Sequence, residues 1–308
     1  MSAWQVQAGH TAVITGAGSG FGLELARLAA RKGLNLVLTD VQQDALDAAV
    51  AELAATGVQV VGLQGDVSRG VDVQALADLC MERFGAPHIV INNAGVAFGG
   101  LIWEHTERDW EWVLGVNLFG VAHGVRVFTP LMLAAAKQDP AWRGHIVNVA
   151  SMAGLLNSPN MGAYNVSKHA VVSLSETLYQ DLALVTDQVH ASVLCPYFVP
   201  TGIHLSHRNR PKALRSEGRP TASQMIAQAM SAKAVTSGKV TAADTAQLVF
   251  EAIEAGRFYV YTHPQALGMV QTRLEDVVQA RNPTDPFAGK PEIGEQLKTA
   301  LREAMARR

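Results

Sequence analysis

The stretch "HTAVITGAGSGFGLELARLAARKG" (residues 10–33) runs from a short β-rich apolar segment, through a glycine-rich turn, into a segment of helical periodicity that stops at Gly33. Gly16 permits the tight turn, Gly20 lets backbone approach a pyrophosphate, and Gly22 lets the helix pack closely on the strand. The helix N-terminus adds free N–H groups and a dipole that favours phosphate. Glycines alone occur in many ordinary turns, so the strand–loop–helix order carries the reading. It predicts a dinucleotide site lined by Gly16, Ser19, Gly20, Phe21 and Gly22.

The rest of the chain repeats this alternation. Apolar strands at 34–40, 58–67, 87–95, 144–151, 190–196 and 257–264 are separated by segments of helical period. This predicts an α/β fold: a doubly wound, mostly parallel seven-stranded sheet of Rossmann type with helices on both faces. Ligands in such sheets bind beyond the carboxyl ends of the strands. The organisation read from the chain is a single catalytic domain over 1–280, with a substrate lid at about 200–240. A tail at 281–308 carries a short amphipathic helix with Ile293, Leu297, Leu301 and Met305 at four-residue intervals.

Asp40 ends the second strand, where a carboxylate can accept hydrogen bonds from the adenosine ribose hydroxyls and repel a 2′-phosphate. No cation stands beside it: Val41 follows, Ser19 precedes Gly20, and Arg31 and Lys32 lie at the far end of the first helix. NAD is therefore expected in preference to NADP. Asp66 and Val67 close the third strand and "NNAG" (92–95) the fourth, which places Asp66, Val67, Asn93, Ala94 and Gly95 against the adenine and neighbouring backbone. By themselves these are also turn formers.

The stretch "MGAYNVSKHAVV" (161–172) sets Tyr164 and Lys168 four residues apart, on one face of a helix. A cation beside a phenol favours the phenolate, so the spacing suits a proton-transfer pair. With "TGAGSGFG", "NNAG", Ser151 and "YNVSK" in this order, the chain resembles the short-chain dehydrogenase/reductase family, in its single-domain branch, over about residues 8–262. The resemblance implies that Ser151, Tyr164 and Lys168 are catalytic, that Asn117 supports a proton path through Lys168, and that Lys168 also holds the nicotinamide ribose. It further implies nicotinamide contacts from Pro196, Val199 and Thr201. One departure stands out in "CPYFVPTG" (195–202): Tyr197 occupies the place of the family's glycine, either shaping the active-site floor or packing outward.

The bulk properties exclude other classes. Lys and Arg number 25 against 27 Asp and Glu, a net charge of −2, so no electrostatic footprint for nucleic acid or an anionic membrane is present. The N-terminus lacks the basic start and apolar core of a signal peptide, and apolar runs break before membrane-spanning length. Two cysteines make no disulfide framework, and no metal site is expected. The expectation is a cytoplasmic enzyme, forming a homodimer or homotetramer as relatives in the resembling family commonly do. Val96, Phe98, Met152, Leu155, Met161 and Phe198 near the chemistry, with Met225, Ile226, Ala229 and Met230 in the lid, suggest a hydrophobic, bulky or aromatic secondary alcohol or ketone as the small-molecule substrate. No cation for a carboxylate is evident in that set. The alternatives are an NADP-dependent ketone reductase and a non-catalytic dinucleotide-binding sensor or scaffold.

Overall fold

Strands with no polar face can be stable only when both faces are covered. In the computed structural model, which describes residues 4–216 and 218–306, β1 (Thr11–Thr15), β4 (Ile89–Asn92) and β5 (Gly144–Val149) are buried at every position. They form the centre of a sheet in which all strands are parallel, in the order β3 (Val60–Gln64), β2 (Asn35–Asp40), β1, β4, β5, β6 (Val189–Cys195), β7 (Tyr259–Tyr261). Side chains alternate between two helical layers. Ala12 and Ile14 pack with α1 (Gly20–Arg31), α2 (Gln43–Ala54) and α8 (Ala242–Ala255), through Leu25, Leu46 and Phe250 among others. Val13 and Val90 pack on the opposite layer with α3 (Gly70–Phe84), α5 (Gly120–Gln138) and α6 (Gly162–Val185), through Leu76, Phe128 and Leu178.

Several boundaries shift from those read in the sequence. α1 begins at Gly20 rather than Gly22, because Gly20 itself turns the chain with φ +55°. β3 and β7 are shorter than their apolar runs, as strands at a sheet edge usually are. α4 (Glu107–Leu114) starts at the expected capping box, with Thr106 N–H donating to Asp109 Oδ2 at 2.8 Å. It then continues through a π-turn (Gly115–Phe119) into α5. The resulting Glu107–Gln138 helix is long and apolar enough to cross a bilayer by length and composition. This corrects the reading that apolar runs stop short of that length. Here its apolar face, with Val127, Phe128 and Met132, is spent on the sheet.

Because β2 and β3 lie on one side of β1 and β4 to β7 on the other, the chain reverses direction between β1 and β4. A crevice opens there at the carboxyl ends. Thr15 Oγ1 closes its base by accepting the N–H groups of Asn93 (2.9 Å) and Ala94 (3.0 Å). Asn93 Nδ2 donates back to the carbonyls of Thr15 (2.8 Å) and Gly16 (3.2 Å). One residue earlier, Asn92 Nδ2 donates to its register partner Asn148 (2.8 Å), whose own amide donates to Ser175 Oγ on α6 (3.0 Å). A Cβ on Gly124 would collide with Asn92, so that glycine lets α5 lie directly on the strand end.

The opposite, amino-terminal edge of the sheet carries a row of histidines. His10 and His88 stack with ring centroids 4.2 Å apart, between Trp4 and Trp142. His88 Nδ1 accepts the Thr11 N–H at 3.2 Å. In β5, fully buried His145 meets Ser192 Oγ at 2.7 Å, and that hydroxyl donates onward to the Arg257 carbonyl, which makes Nε2 of His145 the protonated nitrogen. Burial, and the charge of His10, hold His88 down at about 4; burial, and His190, hold His145 at about 3. Each is neutral when folded but takes up a proton near the ordinary 6.5 when unfolded. The unfolded chain therefore binds more protons below pH 6.5, and stability falls as pH drops through the window from 6.5 toward 4 and then 3. We expect the Tm measured by circular dichroism to decline across pH 6.5 to 4, and to decline less steeply in His88→Asn, whose amide oxygen can still accept from Thr11. An equal slope in the variant would dissociate the stack from acid sensitivity.

Candidate active site

At the end of β1 the loop is built from conformations and clearances that only glycine supplies. Gly16 sits at φ +64°, and a Cβ there would lie 2.9 Å from Cα of Ala94. A Cβ on Gly22 would strike the Gly16 carbonyl, so Gly22 packs helix on strand and does not face the crevice. Gly20 faces Thr201 across the crevice, with its notional Cβ 3.4 Å from Thr201 Cβ, and so keeps the passage between loop and β6 free. Asp40 is tied to this loop: Oδ2 accepts the Gly18 N–H (2.9 Å) and Oδ1 the Gln42 N–H (3.0 Å). A carboxylate with two neutral donors keeps lone pairs for further donors. Asp66 Oδ1 is likewise engaged, by the Ser68 N–H and hydroxyl.

These residues open into one cavity of about 1670 Å³. Of the predicted cofactor residues, Gly16, Ser19, Gly20, Phe21, Asp40, Asp66, Val67, Asn93, Ala94, Gly95, Tyr164, Lys168, Pro196, Val199 and Thr201 line it; Gly22 does not. Ser151 lines it as well. The residues present therefore fit a dinucleotide: free N–H groups at a helix start, a glycine-cleared passage, and a carboxylate at one end. Near Asp40 the wall holds no cation, and Lys32 is occupied by Glu254 on α8 at 2.8 Å.

At the other end of the cavity, the first turn of α6 brings Tyr164 beside Ser151, which follows β5. The Ser151 hydroxyl is near enough to the phenol to favour its ionised form, and it donates to the Pro196 carbonyl at 3.4 Å. Ser151 Oγ also accepts the Ala153 N–H (3.1 Å). Lys168 is buried with Nζ donating to the Val149 carbonyl at 2.9 Å, and lies 5.9 Å from the centre of the Tyr164 ring. Burial pulls Lys168 down to about 8, against a small opposing effect of Cys195. Burial also raises the Tyr164 phenol, and only the Ser151 hydroxyl works against it. The ammonium is turned onto a backbone carbonyl, and desolvation dominates the phenol.

Asn117 lies inside the π-turn and is completely buried, outside the cavity wall. Its Oδ1 accepts the Val96 N–H (2.8 Å), while Nδ2 donates to the Val96 carbonyl (3.0 Å) and to Ser167 Oγ (3.0 Å). Ser167 in turn donates to the Tyr164 carbonyl (2.8 Å). The side chain thus clamps the end of β4 to the helix that carries Tyr164 and Lys168, and its contacts are those of a positioning group.

The outer wall is formed by segments distant in sequence. α7 (Ala222–Thr236) contributes Ile226, Ala229 and Met230, whereas Met225 is 55% exposed and does not line the cavity; nor do Phe98 and Leu155. Tyr197 does line it, its ring packed against Phe198 and edge-on to His263, which decides between the two alternatives for that residue. The amino end of α7 is fastened by Ser223, which donates to Glu104 (2.5 Å) and accepts the Leu101 N–H (3.0 Å), while Asn160 donates to the Ser223 carbonyl. This end of α7 is therefore latched. Beyond α9 (Leu267–Val278) the chain turns back through Asp276, which accepts the Thr284 N–H (2.8 Å) and Arg281 Nε (3.0 Å). This return lays Phe287 and α10 (Pro291–Ala306) over the opening. Of the predicted stripe, Leu297 is buried against its own chain and Met305 is exposed; residues 307 and 308 lie outside the described residues.

Comparison with known proteins agrees with this architecture. Residues 10–212 match the short chain dehydrogenase family. A solved short chain dehydrogenase/reductase from Burkholderia phymatum, in complex with NAD, superimposes with a TM-score of 0.89 and 54% identity, covering 92% of this chain and 99% of that one. A CLA biosynthesis dehydrogenase/reductase from Lactiplantibacillus plantarum is 33% identical over 86% of this chain and 92% of its own length. A 1-deoxy-11-beta-hydroxypentalenate dehydrogenase from Streptomyces avermitilis is 32% identical over 86% and 87%.

The Asn117 clamp has a direct test. Asn117→Ala leaves the Val96 N–H and carbonyl buried without partners, which costs about 1–3 kcal/mol for each orphaned group. Urea unfolding should show a loss of roughly that size. A variant as stable as the parent would mean that water replaces the amide.

Proposed function

The chain belongs to the short-chain dehydrogenase family, and from that footing we propose that it is an NAD(H)-dependent oxidoreductase acting on a hydrophobic, bulky or aromatic secondary alcohol or the corresponding ketone. The observation that carries the proposal is the content of one continuous cavity: Asp40 and the glycine loop at one end, Ser151, Tyr164 and Lys168 at the other, and an apolar wall of Met152, Met161, Ile226 and Met230 beyond them.

When bound, the nicotinamide supplies the hydride acceptor or donor. Gly16 to Phe21 would hold the pyrophosphate, Asp40 the adenosine ribose, and Lys168 the nicotinamide ribose. Ser151 would hold the substrate oxygen by hydrogen bonding, and Tyr164 would take the hydroxyl proton during oxidation or return it during reduction. Burial keeps the phenol protonated at neutral pH, so it begins as an acid. Its conversion to a base needs positive charge nearby or a higher pH. Asp40 disfavours a 2′-phosphate because no cation stands near it to offset the repulsion. Exposed apolar side chains such as Trp103, Phe119 and Leu184 support a homo-oligomer. The buried, unbridged Cys80 and Cys195 support a cytoplasmic setting.

Titration with NADH and NADPH, followed by nicotinamide fluorescence, should show at least tenfold tighter binding of NADH; the opposite order would overturn the role of Asp40. Tyr164→Phe should retain nucleotide binding while losing about 10²-fold or more in kcat. Alcohol oxidation by the parent should accelerate as pH rises. Undiminished turnover in Tyr164→Phe would overturn the proton-transfer assignment.

A further inference from the structure

The far end of the substrate cavity contains a cation that none of the proposed chemistry uses. α9 starts where Ala266 packs in one cluster with Met152, the neighbour of Ser151, and with Val172 of α6. Val270 belongs to the same cluster, and one turn later Arg273 lines the cavity, half-buried. At 1.5 Å per residue, Arg273 lies on the order of 10 Å further along the helix than Ala266. The apolar side chains of Leu156, Met161 and Met269 line the same cavity.

The surrounding charges leave Arg273 unmatched. The neighbouring carboxylate is Asp276, but it is 4% exposed and already committed to Arg281 and the Thr284 N–H. Glu275 lies 3.9 Å from Arg281 and accepts from Gln271. On α6, His169 is held below its ordinary pKa by burial, with the Arg273 charge adding to the effect, so it is no counter-ion. Among the described residues Arg273 has no ion pair or hydrogen bond. Asn157, Asn165 and Thr272 line the cavity as neutral polar groups, and the carboxylate of Asp285, also on its wall, accepts the Phe287 N–H. Asn165 donates to the Ser158 carbonyl, and its Oδ1 is buried without a partner. A guanidinium facing a cavity in this setting presents a forked donor set suited to a carboxylate.

We infer that the substrate is an amphiphilic secondary alcohol whose carboxylate, set apart from the reacting carbinol by an apolar stem, is bound by Arg273. This rests on the oxidoreductase reading above and deepens it: the hydrophobic wall selects the stem, and Arg273 selects the anionic end. It also amends the expectation from sequence that no cation is available to hold a carboxylate.

The test pairs medium-chain hydroxy acids, whose secondary hydroxyl is remote from the carboxylate, with their methyl esters. Turnover is followed by NADH formation in the parent, Arg273→Met and Arg273→Lys. The parent should prefer the acid. Arg273→Met should raise KM for the acid roughly ten- to a hundredfold, leave kcat nearly unchanged, and leave the ester unaffected. Arg273→Lys should recover part of the loss. Independently, the saturated acid lacking the hydroxyl should raise the Tm of the NADH-loaded parent but not of Arg273→Met. If the parent oxidises the esters but neither prefers the acids nor loses that preference in Arg273→Met, the carboxylate site is overturned while the oxidoreductase reading stands. If it oxidises neither series and NADH leaves its Tm unchanged, the reading on which the site rests is overturned as well.

Discussion

The seam between β1 and β4 is the constraint on which the rest of this molecule depends. Two parallel strands that diverge into opposite halves of a sheet leave backbone groups exposed at their carboxyl ends, and those groups need partners. Thr15 supplies one hydroxyl to two successive N–H groups, and Asn93 returns its amide to two carbonyls. The seam is thereby held closed at its base while the glycine loop bends away above it. A bulkier residue at Gly16 or Gly22 would meet Ala94 or the loop's own carbonyl, so loop and seam are one construction. Everything proposed for the nucleotide rests on the crevice that this arrangement leaves.

Electrostatically, burial works against charge on both members of the Tyr164–Lys168 pair. Removing Lys168 and Tyr164 from water disfavours the ammonium and the phenolate alike. The single hydrogen bond from Lys168 to the Val149 carbonyl is modest compensation for a buried cation. The pair is therefore responsive: added charge or polarity in the cavity shifts both groups toward ionisation, whereas an empty or purely apolar cavity holds both back.

How much of this could be read from sequence depended on the range of the interaction. The alternating strands and helices, the glycine loop, Asp40, and the Tyr164–Lys168 spacing are local patterns, each decided within about ten residues, and the fold places them where those patterns imply. The capping box at Thr106 was legible for the same reason. What escaped is long-range. Nothing near Asn117 indicates that its amide would be consumed by Val96 and Ser167, 21 and 50 positions away. The latch of Ser223 onto Glu104 joins segments 119 positions apart. Arg273, more than a hundred residues beyond Tyr164, carries no motif and reaches the cavity only because α9 packs on α6. The partial exception is the short-range turn from Asp276 to Thr284, eight residues on, which ends inside "NPTDP" (282–286), a punctuation signal at which the chain does reverse.

The return of the chain at Asp276 has a consequence for biosynthesis. Domains form as they emerge, and amino-terminal portions emerge first. All seven strands, the glycine loop and the Ser151–Tyr164–Lys168 group precede residue 262, whereas Phe287 and α10 follow the turn. A nascent chain can thus complete its nucleotide crevice while one side of the substrate compartment is still open to water. If the proposed function holds, selectivity is the last property this polypeptide acquires, and a ribosome-bound intermediate holding the dinucleotide would not yet discriminate among the proposed substrates.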